Sequence, residues 1–433
     1  MNISIATVFP HLYQDFLSTS LIKRAQEKGA VSFDVVSFTD VCAPKERLDG
    51  PTAGHGAGMA IRPEVIERIV QQQEDRHGRA FKIFVTPQGK KLDQRLAQQL
   101  GMRMQQESHT MFFAGRYEGI DQRAHEEYAD LEISLGDFVL MGGDLPVMVI
   151  LEAALRYVPG VVGQEGSVEH DSFTGAFLDY PTYTVPPREW KGRAIPEVLL
   201  SGNHALMERW RYETAVKNSV RSHFSWVRSS PLSKKDRDAV KKNIPHHYVA
   251  LLHDQVVVNG TVGTSSVASL DIHDIARSSR TYGIERYFII TPLKDQQEIV
   301  KVFLDFWRTS GISYNENRAD AVSRVALHVQ LEESIAAIEE ETGKKPLVVA
   351  TSAKSYEGIP AISYYDQELV WSHERPVLFI FGTAQGLSRE LITQCDYLLG
   401  PVEGLSDFNH LSVRSAVSII LDRWLGLNPV RMG

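Results

Sequence analysis

The sequence predicts an α/β fold built twice, with mainly parallel sheets on either side of a basic helical segment. Three observations carry this. Short β-like runs alternate with helix-like runs over most of the 433 residues, the pattern that parallel sheets with crossover helices produce. Three glycine-bearing junctions recur in the same order in both halves. Between the halves the local charge changes sign.

In the first half, ISIATVF (3–9), SFDVVSF (32–38), KIFVT (82–86), MFFAG (111–115) and LEISLG (131–136) read as buried strands. PHLYQDFLSTSLIKRAQEKG (10–29) and IRPEVIERIVQQQ (61–73) read as amphipathic helices between them. A polar, proline-containing stretch then predicts a linker. HALMERWRYETAVKNSV (204–220) and LSKKDRDAVKKN (232–243) read as basic helices. From Tyr248 the alternation resumes with YVALLHD, RYFIIT (286–291), PLVVATS (346–352), VLFIFG (377–382) and YLLG (397–400). QEIVKVFLDFWR (297–308) is one of the long helical patterns between them. At about 150 residues per domain the length suggests about three domains. The expected boundaries are 1–166 for the first α/β domain, 167–187 for the linker, 188–243 for the helical domain and 246–433 for the second α/β domain.

Composition narrows the class. The net charge is −8, against a general nucleic-acid binder. Yet residues 186–243 hold 13 Lys and Arg against 6 Asp and Glu, a local +7 that leaves −15 elsewhere. Such a segment is either a phosphate-binding patch or a solvated helical face. The two cysteines, Cys42 and Cys395, lie far apart, so neither a zinc site nor a disulfide framework is expected. MNISIATVFPHLYQDF lacks a basic region followed by a long apolar run, so no signal peptide is expected. Apolar stretches stop well short of the roughly 20 residues of a membrane helix. A cytoplasmic protein with no membrane partner is the expectation.

The two halves look like copies of one plan. IFVTPQ (83–88), FFAGRYEGID (112–121), ISLG (133–136) and LPVMVILEAALRY (145–157) correspond to VVATSA (348–353), FIFGTAQGLS (379–388), YLLG (397–400) and LSVRSAVSIILDRW (411–424). Thr86 and Gly115 are 29 residues apart, Thr351 and Gly382 31. Ligands of open parallel sheets sit beyond the carboxyl ends of strands, and bare glycine backbone there lets N–H and C=O groups approach a ligand closely. SLGDFVLMGGDLPVM (134–148) adds apolar side chains beside three glycines. It suits a slot that holds a flat, adenine-like ring, or else an irregular turn with no ligand. GHGAGM (54–59) follows a polar loop rather than a strand, so it lacks the setting of a dinucleotide-binding fingerprint, which disfavours an NAD-type oxidoreductase.

GRYEGID, LGDFVLMGGDLP, RYVPG, HDSFTGAFLDYP and LLSGNH (199–204) together resemble the bacterial tRNA (guanine-N1)-methyltransferases, a SPOUT-class family, from Met1 to about Asn243. The resemblance implies two SPOUT-type domains with C-terminal trefoil knots, a homodimer, and methyl transfer from S-adenosylmethionine to N1 of guanosine 37 in tRNA. The family's cofactor contacts then fall on Pro87, Gly89, Gly115, Tyr117, Glu118, Leu135, Gly136, Asp137, Phe138, Val139, Leu140, Gly142 and Gly143. Asp171 takes the place of the general base and Arg156 that of the assisting arginine. Mg²⁺ is a further implied cofactor, with Glu118 as its candidate ligand. The residues alone would make Asp171 a loop or N-cap aspartate and Arg156 a helix C-terminal cation. Where the family has Tyr-Gly-Gly-Gly-Pro-Gly-Met, this chain has AGHGAGM (53–59).

The second copy resembles the SpoU-like ribose methyltransferases of the same class. DIHDIARSSRTYG (271–283) matches their first motif with Arg277 as its arginine, and FGTAQGLS and LLGPVEGLSDFNHLSV match the second and third. The corresponding cofactor contacts are Gly382, Gly386, Leu399, Leu411 and Ser412. Asp271 stands for their Asn, the second motif's Glu is missing, and His410 stands for the third motif's Asn. Two functions stay open for this half: transfer to a tRNA ribose 2′-OH with Arg277 as catalytic residue, or a catalytically silent module that holds tRNA or dimerises.

Overall fold

The computed structural model describes residues 1–56, 58–162 and 171–428. Ala57 of GHGAGM, residues 167–170 of the expected linker and the final five residues lie outside them. The chain divides into two compact units, Met1–Gly175 and Ala176–Gly433.

The first unit carries a five-stranded parallel sheet. Its strands are β1 (Asn2–Thr7), β2 (Ser32–Ser37), β5 (Phe81–Lys91), β6 (His109–Phe113) and β7 (Leu131–Ser134), while β3 (Asp49–Pro51) and β4 (Met59–Ile61) form a separate hairpin. The order is β2-β1-β6-β5-β7. Every residue of β6 is buried, as a central strand covered on both faces requires. One face packs Ile5, Phe112 and Ile133 against Leu96, Leu100 and Leu151. The other packs Ala6, Phe84 and Phe113 against Ile66 and Ile69.

Two expected helices differ in their bounds. The stretch 10–29 splits into Tyr13–Leu17 and Ser20–Glu27, because the Ser18 and Thr19 hydroxyls donate to the Asp15 carbonyl at 3.1 and 2.5 Å and compete with the helical ladder. The helix expected at 61–73 runs from Pro63 to His77. Ile61 belongs to β4, and proline suits the first helical position.

The second unit repeats the plan. Two short strands, β8 (Glu189–Trp190) and β9 (Arg193–Ala194), precede β10 (His247–Leu252), and β11 (Val256–Val258) pairs with β12 (Thr261–Gly263). Next come β13 (Arg286–Ile290), β14 (Val325–His328), β15 (Leu347–Thr351), β16 (Ala361–Ile362), β17 (Val377–Gly382) and β18 (Tyr397–Leu399). The parallel sheet is ordered β14-β13-β10-β17-β15-β18-β16. Its inner five strands match those of the first unit in sequence and order, with β14 and β16 added at the edges. The repeat reaches single hydrogen bonds: Lys82 N–H donates to Asp130 Oδ2 at 2.8 Å, and Val348 N–H to Asp396 Oδ2 at 2.8 Å. Each aspartate ties the first residues of one strand to the entry of its neighbour.

The basic helices His204–Ser222 and Lys234–Asn243, with Phe224–Ser229 between them, lie in this second unit. The cap of Lys234–Asn243 is a box in which Ser233 and Asp236 satisfy each other's backbone N–H. Val216, Val220, Phe224, Val227 and Val240 share one core with Val249, Ile284 and Trp371. Arg228 donates to the carbonyls of Asp422, Arg423 and Gly426 at 2.9, 2.6 and 2.9 Å, at the last turn of helix Val413–Leu425, where Asp422 O also accepts from Gly426 N–H at 2.8 Å and late carbonyls run short of helical partners. Arg228→Ala strands the carbonyls of Arg423 and Gly426. It is expected to destabilise the second unit by about 2–3 kcal/mol, read as a lower denaturant midpoint at unchanged slope; an unmoved midpoint would mean water replaces the guanidinium freely.

Candidate active site

The candidate site of the first unit forms where β5, β6 and β7 end. Beyond β5 the chain bulges, since Ile133 pairs with both Val85 and Lys90. Residues 86–89, with Pro87 exposed, therefore loop out over β7. Gly89 sits directly on that strand: a Cβ there would lie 2.5 Å from Ile133 N. Beyond β6 the turn has Tyr117 at φ +58° and Gly119 at φ +112°. It docks on β4, with Glu118 N–H donating to Met59 O and Ile61 N–H to Gly119 O, each at 2.9 Å. Beyond β7 the loop presents Phe138, Val139 and Met141 at 57, 85 and 93 % exposure, while Lys91 pairs with Asp137 at 2.8 Å. Leu140 is also exposed, and Leu135 packs on the core. The Ser134 hydroxyl bonds the backbone of Gly136.

The loops after β6 and β7 meet through backbone. Gly143 N–H donates to Gly115 O at 2.7 Å. A Cβ on Gly143 would lie 2.8 Å from Gly115 N and 2.9 Å from Ala114 Cα, and one on Gly142 2.4 Å from Arg116 Nε. Bare backbone beside exposed apolar side chains is what an adenine-like ring needs, so the residues present suit S-adenosylmethionine.

Sequence reasoning missed the group that holds this meeting point. Asp144 is 1 % exposed. Its carboxylate accepts from Thr7 Oγ1 at 2.5 Å, Tyr13 OH at 3.3 Å and Arg116 Nε at 3.0 Å. Arg116 also donates to Met141 O at 3.2 Å and lies 4.8 Å from the Phe9 ring centroid. Burial, and then the Asp144 charge, push the Tyr13 phenol far above its usual range, so it stays a donor. A buried charge needs such pairing. The available signal was an aspartate opening an otherwise apolar helix.

That helix, Asp144–Leu155, separates the site into two parts. At its far end Arg156 forms an ion pair with Asp171, and the Thr174 hydroxyl donates to Asp171 O at 2.6 Å. The structure thus brings the two expected catalytic residues together. At 1.5 Å per residue they sit about 18 Å along the helix from Gly143. Glu118 is exposed and packs against Gly58, and among the described residues no three His, Cys, Asp or Glu side chains converge as metal ligands.

The second unit repeats the first site's backbone. Ala384 and Gly386 have φ of +51° and +99°, two and four residues after Gly382, as Tyr117 and Gly119 follow Gly115. A Cβ on Gly382 would lie 2.5 Å from Leu387 N. Leu387 forms an antiparallel bridge to Val256, where Ile120 forms a parallel one to Ile61. Leu399 is buried at the end of β18, Ser412 caps helix Val413–Leu425 through Ser415 N–H, and Leu411 beside it is 46 % exposed. Arg277 is exposed on helix Ser269–Thr281. That helix meets Val413–Leu425 through Asp271–Arg414 at 3.1 Å and Ser278–Ser418 at 2.7 Å. Burial raises the Asp271 carboxyl against the opposing pull of Arg414.

Gly143→Ala forces two backbones apart, an overpacking cost of about 1–3 kcal/mol. It is expected to weaken S-adenosylmethionine binding by roughly 5- to 150-fold in calorimetry, with a cooperative melting transition retained at a lower midpoint. Equal affinity in a folded variant would remove this junction from the slot.

No helix among the described residues is long and apolar enough to cross a membrane. Residues 1–227 match the family model of the tRNA (Guanine-1)-methyltransferase TrmD, and residues 246–426 that of a SAM-dependent RNA methyltransferase. The tRNA (guanine-N(1)-)-methyltransferase of Nitratidesulfovibrio vulgaris is 36 % identical, the match covering 98 % of this chain and 99 % of that one. Those of Staphylococcus epidermidis and Bacillus subtilis are 37 and 38 % identical, with 96 % of each matched to 56 and 55 % of this chain. With a model covering more than half its length and a relative matched nearly end to end, the chain belongs to the tRNA (guanine-N1)-methyltransferase family.

Proposed function

We propose that the chain methylates N1 of guanosine 37 in tRNA and works as a homodimer in which one protomer's slot faces its partner's Asp171. One observation carries the dimer: the 18 Å or so of helix between Gly143 and Arg156. A second supports it. Helix Asp144–Leu155 is apolar over most of its surface, Asp144 and Glu152 apart, and Leu145 and Val149 are 63 and 47 % exposed. A helix of that kind is ordinarily buried, and a second copy of the same face would cover it. The close passage of the loops after β5, β6 and β7 supports a trefoil knot in each α/β domain. Cytoplasmic tRNA is the substrate.

Pro87, Gly89, Gly115, Tyr117 and the run from Leu135 to Gly143 would hold S-adenosylmethionine, which supplies an electrophilic methyl group. The guanine N1–H is a poor nucleophile at neutral pH. The Asp171 carboxylate accepts that proton as N1 attacks. Arg156 orients the carboxylate, and its guanidinium stabilises the negative charge that builds toward O6. The base leaves its stack to reach them, while the basic segment 188–243 holds phosphates nearby. Glu118 would be the residue that joins Mg²⁺ to the slot.

For residues 246–433 the repeated junction supports a second S-adenosylmethionine site, with Gly382, Gly386, Leu399, Leu411 and Ser412 around it. The matching reading is transfer to a tRNA ribose 2′-OH, with Arg277 stabilising the forming alkoxide. The three substituted motif positions, Asp271, the missing Glu and His410, favour the silent-module reading instead. Nucleoside analysis of tRNA modified by the full chain separates the two: a 2′-O-methyl product lost in Arg277→Ala supports transfer, and its absence from wild type supports the silent module.

Asp171→Asn is expected to lower single-turnover formation of N1-methylguanosine by at least about 10²-fold while S-adenosylmethionine affinity stays within about twofold. A near-normal rate would remove Asp171 from the role of base.

A further inference from the structure

We infer that a basic trough, running from the helical segment onto the second α/β domain, grips the phosphodiester backbone of the tRNA that the first domain methylates. This rests on the tRNA methyltransferase reading and gives the second domain a part in it whatever its own chemistry.

Two cavities make the trough, both within the second unit. One, of about 1250 Å³, lies between helices His204–Ser222 and Lys234–Asn243 and is lined by Trp210, Tyr212, Lys234 and Lys235. The other, of about 590 Å³, lies where the helical segment meets the second sheet and is lined by Arg221, His246, Lys344 and Arg375. Lys217, Lys242 and Asn243 line both, so the two adjoin.

The charges in the trough are unevenly matched. Eight Lys and Arg line it against five acids, and three of those acids are engaged, Glu208 with Arg211, Glu213 with Arg209 and Glu374 with Arg221, leaving Asp238 and Glu368. Lys217, Lys234 and Lys242 are exposed, and no ion pair to them forms among the described residues. Lys235 lies 4.2 Å from the Tyr212 ring centroid. Lys344 Nζ uses one donor on Glu374 O at 2.8 Å, leaving two of its three N–H groups.

The layout selects the ligand. A small anion needs donors that converge on one point, whereas these cations are strung along two open, adjoining cavities. A polyanion with regularly spaced charges matches that spread, and Trp210 offers a ring for an unstacked base. The position selects the part of the RNA. The second cavity lies at the starts of β10, β15 and β17, and the glycine loops leave their opposite ends. A strand of six residues separates these by about 20 Å. RNA in the trough is therefore held away from the second unit's own glycine loops.

The test uses the full-length chain and unmodified tRNA, with affinity measured across a salt series. Removing one lysine–phosphate pairing lowers the slope of log K against log salt by about 0.9. Lys344→Glu is expected to reduce it by about one and Lys217→Glu/Lys344→Glu by about two, with affinity falling roughly tenfold or more at 0.1 M salt. Lys344→Gln, milder for folding, is expected to show the same direction. Lys301→Glu, outside the trough, is the control expected to bind as wild type. Loss of affinity with Lys217→Glu alone, with both Lys344 variants unchanged, confines RNA to the helical segment and overturns the second domain's part. Equal, salt-dependent binding of polyglutamate overturns the RNA assignment. A wild-type chain that makes no N1-methylguanosine, while Lys344→Glu still loses tRNA affinity, sinks the methyltransferase reading and leaves the trough standing.

Discussion

The hydrogen bond from Gly143 N–H to Gly115 O, 2.7 Å long, is the contact on which the slot depends. It forms because Gly143 has no side chain, where a Cβ would lie 2.8 Å from Gly115 N, and it fixes two strand-end loops at backbone distance. Around it the Arg116–Asp144 pair at 3.0 Å ties in Thr7 and Tyr13 from the start of the chain. The loop after β7 can then leave Phe138, Val139 and Met141 facing outward. Apolar side chains so held cost free energy in water and return it when a ring covers them.

The glycine positions were legible in the sequence because glycine is kept where only it can go. The spacing of Gly115, Tyr117 and Gly119 reappears in Gly382, Ala384 and Gly386, down to the sign of φ. Strand existence was legible too, since a parallel strand buried on both faces is a run of apolar residues. Arg116 and Asp144 were not legible as a pair. They lie 28 residues apart, and no local pattern marks two charges that will be buried together. The edge strand β14 and its flanking helices were also missed, because Val325–His328 is short and mostly half-buried. The helices at 204–243 read as basic, with a phosphate-binding patch and a solvated face both open. Their buried face is Val216, Val220, Phe224, Val227 and Val240 in a polar surround, and its partner lies in the second α/β domain.

That shared core changes how the chain divides. The shorter Staphylococcus and Bacillus relatives match only the first 56 or 55 % of this chain, yet the helices at the end of that stretch pack here against the second α/β domain. Phe224 meets Trp371 with ring centroids 4.8 Å apart, and Arg228 closes the last turn of the final helix. A segment proposed to hold tRNA for the first domain is thereby built into the second. The basic trough depends on this joining, since its second cavity exists only where the two meet.

The central claim is that slot and base work together across two protomers. Co-expressing a Gly143→Ala chain with an Asp171→Asn chain, each carrying a different tag, and purifying the mixed dimer tests it most directly. In a mixed dimer one slot and one base are intact, on different chains. If they meet across the interface, N1-methylguanosine formation, assayed at an S-adenosylmethionine concentration that leaves the Gly143→Ala slot largely empty, returns to about half the wild-type rate per dimer, from two parents that are each strongly impaired. If slot and base act within one chain, every site in the mixed dimer is broken and the product stays at the level of the parents, which would contradict the account.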